Sequence, residues 1–551
     1  MSGVGIATEF QIFRDAQRRV PVSQLIGSLR ADLLSLPTRV RHEQLVSLLL
    51  AAGELECALA DAGLGAVHPC QLTDLLAEAA LDDCLADGQQ LSSAALQLVN
   101  CVQHSGVVTM TTPEGFAYYA LHPLDFADLV ARLNLSAPRA LVVGIRSIGT
   151  TLSAVIAAQL RRLGISAERT TVRPAGHPYD RQCTLDWAQR RSVVRATEDQ
   201  AVFLICDEGP GRSGSSLLSV AEAVEREGAA RENIFLLCSH EPDIAALCAP
   251  EAARRWSRYR AAATGMTRRL PCEVGPPLSA DIWRKRFVPA GDPWPAVWPQ
   301  MERMKFLARD EGAVFKFEGH GRSGAAVRAR NQALAEAGFG ADYLGQQLGF
   351  GKMRLLPSRA LQADDLSAEM LSYMAAYCAW RSREFSCSPV ASDELEATAR
   401  INFEREFGFQ PHELRLPVER PAVCDARMQP FEWLYTGKRW MKLDAATHGD
   451  DHFSPGPCDI AWDLAGIAVE WELEPSACEF LLSEYLRATG DDATSRFSAY
   501  ELVYATSRMA WSKMAAASVS GPDEQCRLLR DYRRYRAQAL ASALRQSATA
   551  A

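Results

Sequence analysis

The chain has 551 residues, 48% of them hydrophobic and 23% charged, a balance that excludes a disordered or fibrous protein. At about 100–200 residues per domain, that length calls for roughly three or four units rather than one core. A net charge of −8 leaves no basic footprint for non-specific nucleic-acid binding, so no nucleic-acid partner is expected.

The N-terminal MSGVGIATEF lacks a basic stretch followed by an apolar one, as a secretory leader would have. No run approaches the roughly 20 apolar residues that span a bilayer. A cytoplasmic protein with no membrane partner is therefore expected. The 15 cysteines are scattered, without a C-x-x-C pair or a Cys/His cluster at zinc spacing. Reduced thiols fit this pattern better than disulfides, including Cys206, Cys424 and Cys458 beside the candidate sites.

Residues 1–110 read as helical. Leu45 to Ala51, Leu55 to Ala60 and Leu72 to Leu85 carry apolar residues at helical spacing, punctuated by Gly53, Gly63 and Gly65. A lid, a dimer arm or a packing element would each fit, and a homodimer is one expected arrangement. From 111 to 270 strands alternate with helices. Ala140–Val143, Ser166–Val172, Ala201–Cys206 and Asn233–Cys238 suit strands, and Leu152–Leu163 and Leu217–Glu227 suit helices. That alternation implies a parallel sheet. Residues 271–300 are rich in proline and tryptophan (LPCEVGPPL, VPAGDPWPAVWPQ) and read as a connection. Residues 301–551 open with the strand-like FKFEG and become largely helical, broken by a strand pair near 432–444. The Arg- and Ala-rich tail, Asp531 to Arg545, reads as a solvated amphipathic helix. The expected fold class is multidomain α/β and α+β.

Phe203 to Ser216, FLICDEGPGRSGSS, carries the first candidate chemistry. A buried strand ends in Asp207 and Glu208, then runs into a Gly/Ser loop that opens a helix. Backbone N–H groups from Gly211 to Ser216 and the positive helix end can cradle a phosphate. Ser213, Ser215 and Ser216 add hydroxyl donors, and the two carboxylates can accept from ribose hydroxyls. Such crevices lie at the carboxyl ends of parallel strands.

This segment resembles the type I phosphoribosyltransferases, which join four apolar residues to two acidic ones, a short spacer and a Thr-Gly-x-Thr/Ser end. Here the end is Ser213-Gly214-Ser215-Ser216, the second acid is Glu208, and the spacer is one residue longer. The stretch LVVGIRSIGTTLSAVIAAQLRRLG resembles the family's first strand, pyrophosphate loop and helix. The resemblance implies PRPP (phosphoribosyl pyrophosphate) as substrate, with Gly144, Arg146, Ser147 and Gly149 at the pyrophosphate and Gly211, Arg212, Ser213, Gly214, Ser215 and Ser216 at the phosphate. It implies Asp207 and Glu208 in catalysis, and a mobile loop, RPAGHPYDRQ, carrying Arg173, His177, Tyr179, Asp180 and Arg181. Nucleotide- or nucleobase-like small molecules are the implied partners.

The second candidate lies in residues 311–470, where Asp425, Asp444, Asp459 and Asp463 are spread along the chain. A strand-end carboxylate can hold Mg²⁺ with nucleotide phosphates, and a second can orient a hydroxyl. The order resembles the aminoglycoside-phosphotransferase branch of the kinase-like fold. It implies ATP and Mg²⁺, Asp425 as catalytic-loop acid, Asp444 as metal ligand and Asp463 as anchor. Phe315-Lys316-Phe317 resembles the strand whose Lys holds nucleotide phosphates, His320 to Gly324 a turn near them, and Glu336 is the nearest helical acid to Lys316. Val423-Cys424 stands where the family has His-Gly, and Pro430 where it has Asn, leaving Gln429 as a candidate second metal ligand. His448, Asp450, Asp451 and His452 could alternatively gather a metal, and Asp459 and Asp463 could simply cap a helix.

Together these resemblances imply a bifunctional small-molecule enzyme that transfers a phosphoribosyl group and phosphorylates a related molecule with ATP. Two alternatives remain open: a phosphoribosyltransferase regulated by a nucleotide-binding pseudokinase, and a nucleotide-sensing stress or defence protein.

Overall fold

A computed structural model describes residues 10–12, 17–82, 87–279, 281–388, 392–411, 414–450 and 453–550. The fold is mixed α/β, with about half of the residues helical and several sheets, one of them parallel.

Strand β1 (Arg18–Pro21) pairs antiparallel with β2 (Val107–Met110), closing the N-terminal region as a loop of helices. Two of those helices, His42–Asp61 and Val67–Leu81, bury one apolar face against the helix Ile148–Arg162, and Ala154, Val155 and Ala158 belong to the same core as Leu45, Leu49 and Leu72. The N-terminal helices thus share a core with the segment after residue 111. The helical pattern that extends toward Leu85 runs past the described residues.

β3 (Arg139–Ile145), β4 (Ser166–Val172), β7 (Val202–Cys206), β8 (Ile234–Cys238) and β9 (Arg260–Ala263) form a parallel sheet in the order β4-β3-β7-β8-β9. β7 and β8 are buried at every position, as strands covered on both faces must be. Successive connections leave β3 in opposite directions, so the crevice beyond the ends of β3 and β7 lies at the switch point where open α/β sheets bind ligands. A short hairpin, β5 (Ala175–His177) with β6 (Asp180–Gln182), stands over that crevice.

The proline- and tryptophan-rich stretch does more than connect. β10 (Val274–Pro277) is the edge strand of an antiparallel sheet, β10-β11-β12-β14-β13, with β11 (Lys305–Ala308), β12 (Ala313–Phe317), β13 (Tyr343–Gln347) and β14 (Phe350–Arg354). Trp298 packs with Trp511 and Phe453, and the fully buried Arg284 pairs with Glu524 at 2.7 Å. A large helical core follows, centred on Tyr377, Trp433, Trp462 and Tyr504. The tail helix, Pro522–Ala550, sinks Tyr535, Ala539 and Ala543 into that core and leaves its other face polar. Among the described residues, no helix is long and apolar enough to cross a membrane.

Candidate active sites

At the parallel-sheet crevice, Asp207 and Glu208 leave the end of β7. Burial drives the carboxyls of both upward, Asp207 to about 7 and Glu208 to about 8, with Asp207 and Glu114 adding to the shift at Glu208. The Gly115 N–H donates to Glu208 Oε2 at 3.1 Å. Carboxyls held against their own ionisation in a crevice make it a candidate functional site.

Ser147 has φ of +100°, a conformation a side-chain-bearing residue rarely adopts, and it starts the helix Ile148–Arg162. Gly144 and Gly149 lie where the strand and the helix come closest. Both are buried. A Cβ on Gly144 would lie 2.2 Å from the Gly149 carbonyl oxygen, and one on Gly149 would lie 2.6 Å from that of Cys206. These glycines let the strand and helix touch. Arg146 and Arg173 are bridged by Asp61, at the end of the helix His42–Asp61. Arg146 Nη1 lies 3.3 Å and Arg173 Nε 3.1 Å from Asp61 Oδ1.

Gly211 and Gly214 have φ of +55° and +69°, which fits glycine at both loop turns. The Ser213 and Ser215 hydroxyls both donate to the Pro178 carbonyl, at 3.0 and 2.9 Å. Pro178 sits at the tip of the β5–β6 hairpin, so the hairpin is folded onto the loop. His177 and Tyr179 pack ring to ring at its tip, Asp180 accepts from Gln182, and Arg181 donates to the Pro174 carbonyl. Ser216 lies in the first turn of the following helix, and Arg212 is exposed.

The second site is a cleft of about 330 Å³ between the antiparallel sheet and the helical body. Leu278, Trp283, Met353, Leu434 and Met441 give it an apolar wall, and Lys305, Lys316, Gln429, Asp444 and His448 a polar end. Lys316 is buried on β12. Its ammonium lies 2.7 Å from Asp444 Oδ1 and donates to the Thr447 hydroxyl at 2.8 Å. Burial pulls the Lys316 pKa down to about 8 against the pull of Asp444, with Lys305 and Arg303 repelling in the same direction as burial. Burial opposes ionisation of Asp444, but Lys316 and Lys305 outweigh it and hold the carboxyl well below its usual range. Asp444 adopts φ of +57°. Gln429 Oε1 is buried without a hydrogen-bond partner among the described residues.

Asp425 is sealed rather than open. It has no exposed surface and does not line the cleft. The Tyr377 hydroxyl donates to its Oδ2 at 2.5 Å, Lys442 Nζ lies 3.4 Å and His448 Nδ1 3.4 Å from its Oδ1. Burial resists its charge, yet Lys442, His448 and Arg381 together push its ionisation far below the normal carboxylate range. Asp463 accepts from the Asp425 and Ala426 amides at 2.8 and 2.9 Å, which locks the turn at Ala426, where φ is +70°. Asp459 does not merely cap a helix. It accepts from the Glu419, Arg420 and Ala461 amides and pairs with buried Arg496 at 2.9 Å.

Two further expectations change. Lys316 takes Asp444 as its partner, while Glu336 is exposed at the far end of its helix. His320 lies away from the cleft, its N–H bonded to the Phe116 carbonyl and its ring against His122. Asp425, Glu432 and His448 offer ligand atoms within 4.8 Å of one another, but Lys442 Nζ sits 2.9 Å from Glu432 and 3.4 Å from Asp425, a cation already among them. Asp451 and His452 lie outside the described residues.

Sequence reasoning missed Asp61, Tyr377, Lys442 and the facing role of His448. One signal was available for Lys442: in WMKLD it is a charged residue on the strand-like run just before Asp444.

No protein-family model and no curated protein matches this sequence. Three similar solved structures are the choline kinase LicA from Streptococcus pneumoniae (14% identity, TM-score 0.31, 43% of this chain and 89% of that one), a choline/ethanolamine kinase family protein from Mesorhizobium loti (17%, 0.28, 45% and 94%), and aminoglycoside 2'-phosphotransferase-IIIa as its GDP complex (12%, 0.27, 46% and 95%). Each is similar to less than half of this chain.

Proposed function

We propose that this protein is a small-molecule phosphotransferase that uses ATP in the cleft under the antiparallel sheet. The observation that carries this reading is the Lys316–Asp444 pair at 2.7 Å, set at the polar end of an otherwise apolar cleft. The apolar wall suits a nucleobase, and Lys316 suits its phosphates. Mg²⁺ fits the donor set, because the Asp444 carboxylate and the unpartnered Gln429 carbonyl are hard oxygen donors on one cleft, and there it would neutralise charge on the phosphates.

The expected role of Asp425 is redistributed. His448 lines the cleft while Asp425 lies behind it. Asp425 holds the His448 Nδ1–H and so leaves Nε2 to take the acceptor hydroxyl's proton, the logic of a histidine oriented by a buried carboxylate. Burial lowers the His448 pKa, which favours the neutral base. Quenching of Trp283 fluorescence by Mg-ATP tests the nucleotide site. Lys316→Ala should weaken binding at least tenfold, and equal binding by both proteins would refute the assignment. Binding without turnover would favour a nucleotide-binding regulatory unit, for which Lys442 between Asp425 and Glu432 speaks.

A second reading concerns the parallel-sheet crevice, with residues 111–270 and 301–551 as separate catalytic units joined through 271–300. Asp207, Glu208 and the Ser213–Ser216 loop at the switch point support PRPP chemistry there. The Pro178 carbonyl on the serine hydroxyls supports a hairpin that a sugar phosphate must lift. Release of pyrophosphate from PRPP with nucleobase acceptors, lost in Asp207→Ala, is the expected result; no release and no PRPP binding would remove this reading.

A further inference from the structure

Lys316 has a second lysine for a neighbour. Strands β11 and β12 pair so that Lys305 lies directly opposite Lys316. Directly opposed residues of an antiparallel pair project their side chains from the same face. Both ammonium groups reach one carboxylate, Lys316 at 2.7 Å from Asp444 Oδ1 and Lys305 at 3.8 Å from Asp444 Oδ2. Lys305 also lies 3.5 Å from Glu302 and 6.0 Å from the centre of the Trp283 ring. Trp283 belongs to the apolar wall of the cleft, so Lys305 stands between that wall and the Lys316–Asp444 pair.

The two lysines are held differently. Lys316 is gripped by Asp444 and Thr447, and its side chain is 5% exposed. The carboxylate contacts of Lys305 are longer, and its side chain, which lines the same cleft, is 22% exposed. An ammonium with loose contacts and an open face can turn its protons to a ligand without first breaking a short ion pair. Like charges set directly opposite one another destabilise a strand pair. Anionic groups lodged beside both remove that cost, and a phosphate chain supplies them where one carboxylate serves two ammonium groups.

We infer that Lys305 is a second phosphate-binding lysine of the cleft, and that with Lys316 it grips the polyphosphate of ATP from two adjacent strands. The inference rests on the ATP reading above. The base lies along the wall that contains Trp283. The phosphate chain then passes Lys305 and reaches the end that holds Lys316, Asp444 and His448. The Lys305 ammonium donates to non-bridging phosphate oxygens, as a compact point charge on a flexible stem can. Its part is to bind and orient the chain, with no proton transferred. The pair selects nucleotides that carry a phosphate chain over nucleosides that carry none.

Calorimetry on the full chain with Mg²⁺ and the unreactive analogue AMP-PNP, and with adenosine, tests the assignment. Lys305→Met should weaken AMP-PNP binding by about tenfold or more, the size of one charge-assisted hydrogen bond, and adenosine binding by less than about twofold. Lys305→Arg, which keeps the charge, should recover most of the loss. In an Asp444→Asn background, Lys305→Met should still weaken AMP-PNP by about fivefold or more, because a direct contact with phosphate does not pass through Asp444. Unchanged AMP-PNP affinity in Lys305→Met overturns the inference. So does an equal loss for AMP-PNP and adenosine, or a loss that disappears in the Asp444→Asn background, which would make Lys305 a counter-ion that only holds Asp444 in place. Failure of the wild type to bind AMP-PNP refutes the ATP reading itself, and the inference falls with it.

Discussion

Replacing Glu208 with Gln should stabilise the protein, and should do so only above a definite pH. Glu208 ionises near 4.5 when free in the unfolded chain, but burial beside Asp207 raises it to about 8 in the fold. Between those values the folded state keeps a proton that the unfolded state has released. Stability therefore falls as pH rises from about 4.5 to about 8, and this group adds no further slope beyond either limit. At about 1.4 kcal/mol per pH unit, the full loss is on the order of 4–5 kcal/mol, and about 2 kcal/mol once solvent reach to a half-buried carboxyl is allowed for. A neutral amide in place of the Glu208 carboxyl carries no such cost. Urea unfolding of the wild type and Glu208→Gln at pH 5, 6, 7 and 8 measures the gap, using the transition reported by the parallel-sheet segment. The variant should match the wild type closely at about pH 5 and exceed it progressively toward about pH 8. A gap of constant size, or a variant less stable at pH 8, would show that Glu208 is not held against ionisation.

Arg169→Ala should lower stability by about 3–5 kcal/mol, because it strands the buried Glu56 carboxylate that it grips at 2.7 and 2.9 Å; the urea midpoint reads this directly. Asp61→Asn should raise pyrophosphate affinity about tenfold, roughly 1.4 kcal/mol, by releasing Arg146 and Arg173 from a competing anion. Calorimetry with pyrophosphate checks it, and unchanged affinity would mean that these arginines do not serve that ligand. Lys316, with a pKa near 8, loses its charge as pH rises through that value. AMP-PNP affinity should therefore fall between about pH 7 and about pH 9 in the wild type and stay level in Lys316→Met.

The parallel sheet was legible because its strands are continuous apolar runs, and Ser166–Val172 is found with the expected ends. The acidic pair and the glycines at 211 and 214 were legible because a strand end, two carboxylates and a turn are all local features. What could not be read is convergence. Asp425 is defined by Tyr377, Lys442 and His448, which arrive from an α-helix, a strand and a short 3-10 turn. Asp61 reaches Arg173 across 112 positions of sequence. Gly144 and Gly149 look like ligand-approach glycines in the sequence, and the close backbone packing around them comes from residues that the sequence does not place beside them. The proline-rich stretch hid an edge strand, since an edge strand tolerates proline where an interior one does not.

The most direct test of the account is ADP formation from Mg-ATP by the full chain with a panel of small hydroxyl-bearing acceptors, compared among the wild type, Asp444→Ala and His448→Ala. Turnover in the wild type, abolished by the first substitution and reduced at least a hundredfold by the second with AMP-PNP still bound, is the predicted result. Wild-type turnover that survives both substitutions would contradict the assignment of phosphoryl transfer to this cleft.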